Sequence, residues 1–523
     1  MGHRLCWWWL STFCTLAQPS IGLLTVEYRP PHVPWWAPLC RLTQSHTPTP
    51  EYLGSLLQLT EGDAIDSASL RDDLLRLRST AELAEVSSLL DTLSPSSVEL
   101  RWIVTPRCRA LIAPEVMLGS SVQHKGIAIR LPFPFGGQGD IHLLLRYRPE
   151  FGIGWAGLLG LTLHDGVRQF SGFASFHRYR GSYWLQAESI PTRFPFRRWN
   201  GGFRGEHTSG TFWDLRQPSP LPYRRHETRL SGWLSWGAWQ RDYVFITLAG
   251  HWQRASVDSA FRRAFDNTAF ILIGISSLAH RYEWLPSPYT IGDSCVAQTG
   301  AWGAVTLGIG LPTGPAGERL SYIAGELEHS AALSPYALIA GRIAAGNGFA
   351  NRLPRATTLE LSLMGWGYLF PPFLLQWEGR HQNVWNWLGY RAERLDALTS
   401  FPAPFPSIGT DNRTTLRTEL RWRGRPILPE LGWHAALTHY LGALWNQGTK
   451  ITRLQWRNAI STTLGLHIGG RWTLRWVLAA ELAYSPTLRR FFAFLRTELP
   501  TTSWQFHRYR PPYPLGAPLT KEP

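Results

Sequence analysis

The chain has 523 residues, 44% of them hydrophobic and 13% aromatic, with 27 Trp, 48 Gly and 38 Pro. A mean hydropathy of -0.16 excludes a bundle of membrane-spanning helices, and the Gly, Pro and aromatic content excludes long helices and coiled coils. Basic residues outnumber acidic ones by 52 to 37, and only Lys125, Lys450 and Lys521 are lysines. The arginines that make up the excess are spread along the whole chain rather than clustered, which sets nucleic acid aside as a partner.

The first residues read as an export signal over 1–17. Arg4 supplies the positive region, residues 5–16 the apolar one, and Thr15-Leu16-Ala17 a small-residue cleavage site. About 12 apolar residues are too few to span a bilayer core of ~30 Å. Cleavage leaves Cys40, Cys108 and Cys295, an odd number that does not resemble a disulfide framework. Residues 18–37 read as a linker.

Residues 38–114 form a first domain. Over 50–90, Asp63, Asp66 and Ser67 are capping types, and Leu70, Leu74, Leu75, Leu77, Leu83 and Val86 recur at intervals near three and four, which predicts two helices. Strands are expected at 39–44, 86–90 and 98–104. In the last, Val98, Leu100, Trp102 and Val104 alternate with Glu99, Arg101 and Ile103. The expected order is β-α-α-β-β.

From residue 115 to 499 the period changes to two. Leu416, Thr418, Leu420 and Trp422 face one way; Arg417, Glu419, Arg421 and Arg423 face the other. Leu474, Trp476, Leu478, Ala480, Leu482 and Tyr484 oppose Arg475, Val477, Ala479, Glu481 and Ala483, and Val244, Ile246, Leu248 and Trp252 oppose Tyr243, Phe245, Thr247 and His251. Apolar faces of this length suit tilted transmembrane strands, and a wet lumen accepts the charged faces at little cost. Trp155, Trp184, Trp233, Trp236, Trp366, Trp422, Trp445 and Trp456 sit near segment ends, as in interfacial girdles. At about 24 residues per strand and connection, the length predicts a mainly β fold: a closed antiparallel transmembrane barrel of about 16 strands behind a small α+β domain. Residues 500–523 form a Pro-rich tail.

These segments resemble a known family. Residues 40–112 resemble a POTRA domain, the polypeptide-transport-associated module: 57–63 (LQLTEGD) matches its approach to the first helix, 70–86 the run that follows, and 98–104 its last strand. The barrel resembles the bacterial surface antigen superfamily, which includes outer-membrane barrel-assembly insertases and two-partner secretion translocators. Residues 135–140 (FGGQGD) are similar to the start of such barrels, and 418–445 to a late hairpin. The resemblance implies an outer-membrane protein of a Gram-negative-type bacterium with its N-terminal domain in the periplasm. It also implies first and last domain strands that run parallel, holding the Cα atoms of Cys40 and Cys108 beyond the ~7 Å reach of a disulfide.

The same resemblance implies a loop that folds back into the lumen, where its Arg meets acidic wall residues. Here Leu388, followed by Gly389 and Tyr390, replaces that Arg, and Tyr440 replaces the hairpin Asp, while Glu419 and Arg421 remain. The expected lumen contact is therefore apolar and aromatic, among Leu388, Tyr390 and Tyr440 near Glu419. Arg417, Arg423, Arg475 and Glu481 are the expected lumen-facing charges. His381, His434 and His439 show no metal-ligand spacing, so neither an enzyme nor a cofactor is expected. The implied partners are unfolded or extended client polypeptides, outer-membrane lipid, and periplasmic chaperones or lipoproteins. The implied function is insertion or translocation of polypeptides, with strand addition at the periplasmic domain. A porin-like channel with an Arg-rich, anion-favouring lumen and a scaffold that has lost transport are the alternatives.

Overall fold

A computed structural model describes residues 19–30, 40, 48–80, 83–119, 123–132, 138–149, 153–165, 167–189, 198–216, 220–239, 242–258, 267–287, 294–313, 319–386, 392–393, 395, 410–428, 430–449, 455–469, 476–498 and 509–515. The export signal and most of the expected strand at 39–44 lie outside these residues.

The N-terminal unit is a three-stranded sheet with two helices. β1 (Ser20–Tyr28) is followed by α1 (Pro50–Gly54), α2 (Ser67–Arg78), β2 (Leu83–Ser94) and β3 (Ser97–Pro106), and the sheet order is β1-β3-β2. Helix α1 starts where Pro50 presets φ and the Thr49 hydroxyl accepts the Tyr52 N–H at 3.2 Å; Asp66 caps α2 in the same way through Ser69. The alternation over 98–104 buries Leu100, Trp102 and Val104 against Tyr52, Leu53, Leu57 and Leu77. Asp73, fully buried on α2, accepts the Gln58 and Leu59 N–H groups at 2.9 Å and fixes the loop between the helices.

Two expectations are corrected here. The first strand is Ser20–Tyr28, in a stretch read as linker, and the described residues show a small three-stranded sheet with two helices, so a POTRA domain as such is not established. Cys40 and Cys108 form a disulfide with Cα atoms 5.4 Å apart. The expected separation failed because it put Cys40 on a strand. β1 and β3 pair in parallel, Tyr28 opposite Val104, so both strands finish at one end of the sheet, and Cys40 and Cys108 both follow that end in sequence.

Among the described residues, the strands from Leu111–Leu118 to Arg490–Glu498 form a closed antiparallel barrel of twenty strands, not the sixteen expected. The length estimate failed because connections are short. Two-residue turns at 178–179, 335–336, 351–352 and 371–372 take far less chain than the allowance made for them. At 351–352 both Asn351 and Arg352 have positive φ, 50° and 65°, the backbone that matches the twist of paired strands.

Parity decides what each strand shows. Ile271, Ile273 and Ile275 are exposed outward while Leu272 and Leu278 are buried inward; Val305, Leu307 and Ile309 continue the outer band on the next strand. A continuous band of branched aliphatics is more apolar surface than a water-soluble monomer exposes, so the barrel spans a membrane. Trp155, Trp236 and Trp422 lie on this outer surface. Trp366 is instead buried on the inner face, and Trp233 packs on Tyr509 within the lumen, so those two tryptophans are not part of a girdle. The N-terminal unit docks at the end of the barrel where the first strand starts. The Arg76 guanidinium lies over Tyr282 at 5.7 Å and Arg78 over Trp284 at 4.8 Å, while Tyr52 meets His164 at 4.9 Å.

Candidate functional site in the lumen and at the seam

On strand Asn412–Arg423 the odd residues face inward. Glu419, 3% exposed, accepts hydrogen bonds from Arg417 Nη2 at 2.5 Å and Arg421 Nε at 2.6 Å. Arg423 donates to the Ser287 carbonyl at 2.6 Å and stacks over Tyr368 at 4.5 Å. Tyr440 reaches two strands along to donate to Glu481 at 3.1 Å, and Arg496 of the last strand holds the other Glu481 oxygen at 3.3 Å. His434 and His467 share a hydrogen bond of 2.6 Å on the same wall. Charges so enclosed persist because each carboxylate has its guanidinium within reach.

Leu388, Gly389, Tyr390 and Arg475 lie outside the described residues. Arg417 does lie over the Tyr440 ring, at 5.7 Å, but the apolar partner found on Tyr440 is Leu395, 1% exposed, with Ala459 beneath. Leu395 belongs to the same long connection as Leu388. Glu393 in that connection pairs with Arg413 at 3.4 Å.

Within the Pro-rich tail, residues Tyr509–Leu515 run inside the barrel. Tyr509 packs on Phe245, Trp233 and Trp302 at centroid distances of 4.7, 5.1 and 6.0 Å, and its hydroxyl meets Thr247 Oγ1 at 2.8 Å. Arg510 forms ion pairs with Glu326 and Glu328. His251 Nε2 donates to the Pro512 carbonyl at 2.7 Å, Arg342 to the Tyr513 hydroxyl at 3.0 Å, and the Leu515 N–H to the Tyr322 hydroxyl oxygen at 2.6 Å. Leu515 is buried with Ala249, Leu272, Tyr322 and Ala324. The legible signal was an Arg flanked by aromatics in a segment that prolines keep extended.

Among the described residues, the ladder between the first and last strands has two residue pairs, Leu118 with Leu495 and Met117 with Arg496, whereas the other barrel ladders carry from seven to nineteen. The register explains this: the strands are staggered so that only Glu115–Leu118 stand opposite Leu495–Glu498. Val116 N–H turns to the Thr497 hydroxyl at 2.8 Å. Gly119 follows at φ 92°, where a Cβ would lie 1.7 Å from the Ala493 carbonyl oxygen, so only glycine fits. Chain order alone contains no sign of this stagger.

Fold and site thus define a membrane-spanning β-barrel with an occupied lumen and a short seam. Among solved structures the chain is similar in fold to BamA from Haemophilus ducreyi lacking POTRA domains 1-3, at 10% identity and a TM-score of 0.41, covering 91% of this chain and 84% of that one. It is similar also to CdiB from Acinetobacter baumannii, at 11% identity and a TM-score of 0.43 over 92% and 74%. The alcaligin outer-membrane receptor FauA from Bordetella pertussis matches at 11% identity and a TM-score of 0.35 over 78% and 79%. No protein-family model and no curated protein matches the sequence. At such identities and scores these likenesses give no residue-level correspondence, and the site is read from the chain's own geometry.

Proposed function

We propose that the protein is an outer-membrane barrel that assists the insertion or translocation of polypeptides. The observation that carries this reading is the two-pair seam. Beside it, most of Leu111–Leu118 and Arg490–Glu498 present strand edges with no ladder partner among the described residues. Such edges are templates for an added strand, and most barrels abolish them. Among the described residues, opening the seam separates two residue pairs, against seven or more in every other barrel ladder, so the seam is where a client strand gains entry. A static anion channel has no need of a weak closure, and the tail stands in the path that such a channel requires.

Reconstituting the purified protein in liposomes with an unfolded barrel polypeptide tests the reading. Accelerated acquisition of a heat-modifiable client band is expected. Ion conductance with no acceleration of the client contradicts it and favours the channel reading.

A further inference from the structure

We propose that the inner wall between strands Tyr243–Val257 and Ala337–Ala350 is a binding groove for an extended, proline-rich peptide carrying Arg between aromatics, and that Tyr509–Leu515 occupies it as a releasable plug that gates the lumen.

The wall is shaped to its ligand at five of the segment's seven positions. Phe245 and Trp302 cup Tyr509. Glu326 and Glu328, inward neighbours two residues apart on one strand, present two carboxylates to the single Arg510 guanidinium. Pro512 lies where Gly274 leaves room, since a Cβ on residue 274 would come within 2.5 Å of its ring. Leu515 fits over Gly346, where an added Cβ would come within 3.3 Å. Arg342 is held toward Tyr513 by Glu326 and Glu360, at 2.8 and 3.2 Å.

The segment is bound without being woven into the barrel. Pro511, Pro512 and Pro514 have no N–H, so it cannot add to the sheet as a further strand, and its contacts with the wall run through side chains and two isolated backbone groups. Departure therefore breaks no ladder. Prolines also keep the free segment extended, which reduces the ordering cost of rebinding. An attachment made mostly by side chains, preordered and covalently continuous with the barrel, has the properties of a plug. The inference does not depend on the polypeptide-handling reading, because it concerns the lumen and not the seam.

Planar-bilayer conductance of the full chain, compared with a chain truncated after residue 508, tests it. The full chain should be mostly closed and the truncated one open, with at least a tenfold rise in mean conductance. A synthetic peptide, Tyr-Arg-Pro-Pro-Tyr-Pro-Leu, should close the truncated pore, and the same peptide with Glu in place of Arg should not. Equal conductance of the two chains, or equal block by both peptides, overturns the proposal. Should the truncated chain not fold, Arg510→Glu and Gly274→Leu in the full chain take its place. Both should open the lumen, and conductance unchanged in both overturns the proposal.

Discussion

Tyr440 donates its phenolic hydrogen to Glu481, 3.1 Å away and two strands along the wall, across Ala459 of the strand between them. Tyr440 stands directly opposite Ala459, which is fully buried, so a methyl group is all that separates the ring from the sheet. Glu481 in turn holds Arg496, whose backbone belongs to one of the two described pairs across the closure of the barrel. A chain of contacts thus runs from the lumen wall to the seam.

Tyr440→Phe should cost about 0.5 to 1.5 kcal/mol, the net worth of one hydrogen bond, because Arg496 still neutralises Glu481. Ala459→Leu should cost more, about 1 to 3 kcal/mol, by lifting the ring off the wall. Urea unfolding in lipid vesicles measures both. A larger loss for the phenylalanine variant would mean that the ring is not supported by Ala459.

The faces of strand Asn412–Arg423 can be tested by polarity. Leu420→Arg, on the outer surface, should cost ~2 to 4 kcal/mol near the bilayer midplane. Arg417→Ser should cost less, since Glu419 keeps Arg421 at 2.6 Å. Glu419→Ala should exceed Arg417→Ser, because it leaves two arginines with one carboxylate fewer. The same unfolding assay ranks the three, and a reversed order contradicts the assignment of faces.

The Cys40–Cys108 bond closes a long loop, with a sequence separation of 68 residues around most of the N-terminal unit. Replacing both cysteines by Ser should destabilise that unit by about 2 to 4 kcal/mol while leaving the barrel's heat-modifiable migration intact. Limited proteolysis reads the first effect and unheated gels the second. Non-reducing mass mapping should find Cys295 outside any disulfide.

Asp66, outside the membrane, has its carboxyl held below the usual 3.8 by the backbone N–H of Ala68 and then that of Ser69 at the start of α2. A depressed folded value means that its contribution is complete above pH 3.8 and is lost as pH falls through the folded value. Asp66→Asn, which caps without titrating, should flatten the acid limb of the N-terminal unit's unfolding curve, followed by its tryptophan fluorescence. An unchanged limb would place the acid sensitivity elsewhere.

The dyads of 412–423 and 476–485 made the barrel and its polar lumen legible, because period two puts every second side chain on one face. The same parity, applied residue by residue, also places Trp366 indoors, which its position near a strand end had hidden. Strand number was lost because turns such as Asn351-Arg352 carry none of the glycines that usually mark a hairpin. The disulfide was missed because β1 lies before its expected place, and the tail because prolines read locally as linker, whatever wall they meet. The stagger at Leu118 and Leu495 is set by closure of the whole barrel, a property that no local stretch contains.

The most direct test of a seam that opens is to lock it. Leu118 and Leu495 are Cα partners across the closure, so Leu118→Cys with Leu495→Cys can be oxidised to a cross-link in the folded barrel. Client assembly by the reconstituted protein should fall at least tenfold when the bond is formed and recover on reduction, with each single variant unaffected. Undiminished client assembly by a fully cross-linked barrel would contradict the account.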